Sequence, residues 1–174
     1  MIELNDRTKH DFLSREWVQK LLDAGVDMSD AKYNLFYNSI FQKDKNRIFI
    51  DLKTSENYVE IGKFQNCMPT YTVSELLYKL HEWIYPTIDG KEFSGGLKML
   101  KDAPCYIFYY DLKTKDYNPL KFSHDQPEEW DESFMGECET PIESLASLLL
   151  QCHTRDIGLK RKDTGDIRDK YERY

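Results

Sequence analysis

The chain has 174 residues, four scattered cysteines and a formal net charge of −7, with 14% aromatic and 32% charged residues. Chains of this length bury roughly 70% of their unfolded surface, so one core without disulfide staples is expected and wholesale disorder is excluded. The acidic balance argues against neutralising phosphates, so direct binding to nucleic acid is not expected.

Residues 1–13 are polar, with Ile2, Leu4 and Phe12 as anchors. They lack the basic-then-apolar order of a signal peptide, and no apolar run approaches the ~18 residues of a membrane span. Cys67, Cys105, Cys138 and Cys152 form no C-x-x-C pair. Reduced thiols and a cytoplasmic location are therefore expected.

Ser14 is placed to cap a first helix over Arg15–Ala24, with Trp17, Val18, Leu21 and Leu22 on one face and Gly25 as its stop. Residues 32–63 then read as β. NLFYNSIF, RIFIDLK and YVEIGKF are separated by short polar breaks, as in a meander, although NLFYNSIF also fits a helix. Pro69–Ile84 carries the best-marked helix start. Thr72 and Glu75 have capping-box spacing, and Tyr71 and Leu76 can form a hydrophobic staple. Val73, Leu76, Leu77, Leu80, Trp83 and Ile84 continue the stripe to the break at Pro86.

Asp89-Gly90 predicts a tight turn and Gly95-Gly96 a flexible break; residues 98–101 have no clear pattern. PCYIFYYDL, residues 104–112, is the strongest strand. Its continuous aromatic and β-branched run predicts a central strand covered on both faces. Leu120–Phe122 is a candidate returning strand. Thr140, Pro141 and Glu143 open a last helix, with Ile142, Leu145, Ala146, Leu149 and Cys152 in a stripe widened by Leu148 and Leu150. The pattern predicts an α+β fold, a mostly antiparallel sheet with about three helices packed on it. A single domain over residues 1–154 and a charged tail over 155–174 are expected. The Pro69–Ile84 helix and the helix opened by Thr140 should both rest on the 104–112 strand.

Catalytic patterns are missing. No phosphate-cradling loop, nucleophile elbow or clustered Cys/His set is present, so no catalytic residue, metal ligand or cofactor is assigned. Cys152 and His153 are adjacent on a helix and point about 100° apart, too far to act as a pair. His81 reads as a half-buried surface residue. The distinctive segment is His124–Glu139, which holds seven acids and no lysine or arginine. It reads as a long loop, and such loops are often functional. Asp125, Glu128, Glu129, Asp131, Glu132, Glu137 and Glu139, with Trp130, Phe134 and Met135 as apolar anchors, form a candidate partner-binding surface. A solvated loop whose tryptophan packs on its own domain is the plain alternative.

The order SREWVQKLLDAG, strands, PTYTVSELLYKL, an aromatic strand and TPIESLASLLLQC spans residues 14–153. It resembles small uncharacterised accessory proteins of bacteriophages, prophages and mobile elements. The resemblance implies a host-takeover or anti-defence role, of the anti-CRISPR kind, and no particular functional residues. The expected function is non-enzymatic: binding and inhibition of a host or defence protein whose basic surface normally meets nucleic acid. Two alternatives stay open. One is a nuclease or hydrolase with a site assembled from distant residues; the other is a structural or assembly component.

Overall fold

A computed structural model describes residues 2–37, 48–52, 67–88, 90–114 and 134–157. These residues form an α+β fold with two antiparallel sheets rather than one. The first sheet contains β1 (Ile2–Glu3), β2 (Tyr33–Tyr37), β3 (Ile48–Leu52) and β4 (Cys67–Thr70) in the order β1-β3-β2-β4. The second contains β5 (Trp83–Ile84), β7 (Lys91–Asp102), β8 (Cys105–Thr114) and β9 (Met135–Cys138) in the order β5-β7-β8-β9. β6 (Thr87–Ile88) also pairs with β7. The helices are α1 (Arg15–Asp23), α2 (Val73–Leu80) and α3 (Pro141–Thr154).

NLFYNSIF contributes a strand, since Tyr33–Tyr37 pairs with β3 in the register Leu35↔Ile50. The expected third strand, YVEIGKF, lies outside the described residues, as does Leu120–Phe122. The other side of β2 is occupied by β4, with Leu35 opposite Met68. α1 ends as expected, at Ala24 and the left-handed Gly25 (φ +83°). Ser14 holds the N-cap position without a side-chain cap bond. Val18 and Leu21 are buried, whereas Leu22 faces solvent.

α2 begins as its sequence dictates. The Thr72 hydroxyl accepts from the Glu75 N–H at 3.3 Å, and the Glu75 carboxylate accepts from the Thr72 N–H at 2.8 Å. Tyr71 and Leu76 are both buried in the same core. Replacing Thr72 with Ala should therefore lower the unfolding free energy by about 1 kcal/mol. Chemical denaturation checks this, and an unchanged midpoint would refute the cap.

The helix ends at Leu80, four residues before the expected Ile84. His81 takes a positive φ of 59°, and Trp83 and Ile84 turn into a strand opposite Gly96 and Gly95. Ile84 is fully buried in this arrangement too, so its apolar character fits helix and strand alike. Trp83 leaves the expected stripe and is 52% exposed.

Gly95 and Gly96 are not a flexible break. They sit inside the 12-residue β7. A Cβ on Gly95 would stand 2.1 Å from the Asp111 carbonyl oxygen, and one on Gly96 would stand 3.0 Å from the Trp83 ring. Close approach, rather than turning, explains both glycines. Asp89, in the expected turn, lies outside the described residues; on either side of it Ile88 pairs with Lys91.

β8 is central, between β7 and β9. It is not covered equally on both faces: Phe108, Tyr110 and Leu112 are buried, while Ile107 and Tyr109 on the other face are half-buried. α3 packs on β8 and β9 and buries Ile142, Leu145, Ala146, Leu148, Leu149 and Cys152. The Thr140 hydroxyl accepts from the Glu143 N–H at 3.4 Å. The main neighbour of α2 is α3, not β8. The Tyr110 hydroxyl links β8 to the end of α2, donating to the His81 carbonyl at 3.0 Å. The packed chain continues to Ile157, whose side chain is buried and whose N–H donates to the Cys152 carbonyl at 3.0 Å.

Candidate functional site: the acidic end of the second sheet

The acidic segment expected to be a loop ends in β9, which pairs with β8 in the register Ile107↔Glu137 and stands last in the sheet among the described residues. Here strand pairing takes over because α3 supplies anchors that the acids do not reveal. The Ser144 hydroxyl donates to the Gly136 carbonyl and accepts from the Phe108 N–H at 3.2 Å. Gln151 donates to the Met135 carbonyl at 2.5 Å. Gly136 lets the helix approach; a Cβ there would stand 1.9 Å from the Ser144 carbonyl oxygen.

The sequence-predicted binding residues separate into three groups. Asp125, Glu128, Glu129, Trp130, Asp131 and Glu132 lie outside the described residues. Phe134 is 2% exposed and packs in the core, with the Arg155 guanidinium 5.3 Å from its ring centroid. It therefore anchors the segment to its own domain and presents no surface for a partner. Glu137 and Glu139 are exposed on and beside β9.

Asp102, which sequence reasoning missed, joins them. Alternation along β8 and β9 puts Glu137 on the outward face with Ile107, while the hairpin register Asp102↔Cys105 brings Asp102 to the same end of the sheet. Burial, together with the Glu137, Glu139 and Asp102 carboxylates, pushes the Cys105 thiol up. The sequence signal available for this grouping was the LKMLKD–CYIFYY hairpin, whose register brings residues 102 and 105 together.

The remaining chemistry is sparse. Burial pushes the Cys152 thiol up to about 12, and burial followed by the Glu143 charge raises the Cys138 thiol. Nucleophilic sulfur needs the thiolate, so none of these three thiols is activated. Cys152 is buried while its neighbour His153 is exposed, and the two do not form a pair. Among the described residues no group of three or more His, Cys, Asp or Glu is arranged to hold a metal ion. No helix among them is long and apolar enough to cross a membrane. The arrangement places the exposed Glu137 and Glu139 carboxylates together with Asp102 at one end of the second sheet. Comparison with known proteins finds no matching family model, curated protein or solved structure.

Proposed function

We propose that the protein is a non-enzymatic accessory protein of phage or mobile-element type. It acts in the cytoplasm by binding and inhibiting a host or defence protein through an acidic surface. The observation that supports this reading is the strand-paired end of the acidic segment. Glu137 is exposed on a strand clamped by Ser144 and Gln151, Glu139 is exposed just after it, and Asp102 lies on the neighbouring hairpin. Rigid carboxylates speed encounter with a basic partner and select against acidic ones. The partner that fits is a protein whose basic surface ordinarily meets nucleic acid.

Replacing Glu128, Glu129, Glu137 and Glu139 together with Lys tests the reading. The wild-type protein should capture a basic nucleic-acid-binding protein at low salt and release it at high salt, because exposed charges are screened over about 8 Å at physiological ionic strength. The fourfold variant should stay folded and lose capture. Undiminished capture by the folded variant would remove the acidic surface as the interface.

A further inference from the structure

Among the described residues, the long hairpin β7–β8 leaves part of one edge unpaired. Leu97 N–H donates to the Glu82 carbonyl at 2.8 Å and Phe93 N–H to the Pro86 carbonyl at 2.9 Å. Odd-numbered residues of β7 therefore aim their backbone groups away from β8. Beyond Leu97 no described strand continues along this side: β5 pairs with Gly95 and Gly96, and β6 with Lys91 and Glu92. The N–H and C=O groups of Met99 and Lys101 face the open edge and make no bond to another described residue. Nor is the edge merely polar, since Met99 is 59% exposed and Leu100 is 49% exposed. Proteins usually blunt such edges with lysines, short strands or bulges. Here two lysines are present, but Asp102 lies two residues after the second of three alternating outward positions, Lys98, Leu100 and Asp102.

We propose that a second copy of this chain pairs with the Lys98–Asp102 edge of β7, antiparallel strand against strand. The register is set by backbone direction. Hydrogen-bonded pairs must join odd residues to odd residues, which leaves only a few two-fold arrangements. An axis through Met99 puts Lys98 opposite Leu100. An axis through Lys101 puts two lysines opposite each other. An axis at Leu100 matches every outward position: Lys98 faces the partner's Asp102, Asp102 faces the partner's Lys98, and Leu100 faces its own copy.

These three are non-hydrogen-bonded pairs, in which facing side chains are closest. Met99 and the partner's Lys101 exchange the backbone bonds, and the same exchange recurs across the axis. On the outward face the register Leu100↔Ile107 extends the contact into an apolar row across both copies. Lys98, which would otherwise protect the edge, is thus neutralised by the same strand turned end for end, while Lys101 faces the partner's Met99. Lys98 already reaches Asp111 at 3.0 Å, which holds its side chain on the outward face. The buried area is that of one short ladder, so the dimer is weak and reversible. Among the described residues, β9 with Glu137 then stands at each end of the joined sheet, away from the new contact.

Sedimentation velocity over a wide concentration range tests the pairing. The wild-type chain should pass reversibly from monomer to dimer. Asp102→Lys sets like charges opposite each other and should weaken self-association about tenfold. Lys98→Asp should do the same, and an equimolar mixture of the two variants should regain dimer, since each supplies the charge the other lacks. Met99→Pro removes an N–H that points to the open edge, a position where proline is tolerated, and should give a monomer with its fold retained. A wild-type chain that stays monomeric throughout would overturn the proposal. So would a dimer insensitive to Asp102→Lys and Met99→Pro, or a mixture that fails to restore association between folded variants.

Discussion

Gly136→Ala should lower the unfolding free energy by about 3 kcal/mol, the upper end of the usual range for overpacking. The added Cβ would stand 1.9 Å from the Ser144 carbonyl oxygen and 2.7 Å from the Leu148 nitrogen. Both are helix backbone atoms, so no side-chain rotation relieves the overlap. Either α3 withdraws or β9 leaves the sheet. Withdrawal would separate the Ser144 hydroxyl from the Gly136 carbonyl and the Phe108 N–H. Each buried polar group left without a partner costs about 1–3 kcal/mol. Equilibrium urea unfolding checks the prediction. A loss below about 1 kcal/mol would show that the helix–strand contact is plastic. The same variant should weaken partner capture, because Glu137 is held by the strand that Gly136 lets the helix approach. Loss of stability with capture unchanged would separate the fold of β9 from its proposed use.

The chemistry of Gly136 explains why part of this region could be read from sequence and part could not. Thr72–Glu75 and Thr140–Pro141 were legible because caps depend on residues three apart and on nothing distant. The centrality of β8 was legible because aromatic and β-branched residues cluster there. Trp83 and Ile84 were not, because a helical stripe and a short buried strand both accept apolar residues at those positions. The Gly95-Gly96 pair looked like a break because the atoms that require it, those of Asp111 and Trp83, come from elsewhere in the chain. β9 was hidden for the same reason. Its anchors, Ser144 and Gln151, sit on the following helix, and its four residues carry no alternation long enough to stand out from the acids around them. Of the candidate site, the carboxylates Glu137 and Glu139 were visible by composition. The burial of Phe134 was not, since an aromatic residue among acids serves equally as a partner's anchor or as the segment's own.

Stability should fall in alkali, with a slope that grows from about 1.4 kcal/mol per pH unit just above pH 9 toward about 4 kcal/mol per pH unit between pH 11 and 12. Three buried groups carry the effect. Burial raises the Cys152 thiol from an ordinary 9.0 to about 12. Burial and then the hydrogen bond to Asp30 raise the Tyr71 hydroxyl above its ordinary 10.0, and burial raises the Tyr110 hydroxyl likewise. Below pH 9 all three are protonated whether the chain is folded or not, and their contribution to stability is complete. Above these ordinary values the unfolded chain releases the protons while the folded chain keeps them. The unfolded state then binds fewer protons, and stability declines as pH rises. Each such group contributes about 1.4 kcal/mol per pH unit, first Cys152 alone and then all three together. Releasing the Tyr71 proton within the fold would set a phenolate against Asp30, whose carboxylate accepts its hydroxyl at 2.6 Å. Urea unfolding at successive pH values from neutrality upward measures the slope. Tyr110→Phe removes the donor to the His81 carbonyl and should be less stable at neutral pH, yet its alkaline slope should be shallower by about 1.4 kcal/mol per pH unit. A variant slope as steep as that of the wild type would mean that the Tyr110 hydroxyl ionises as readily in the folded protein as in water, contrary to its buried position beneath the end of α2.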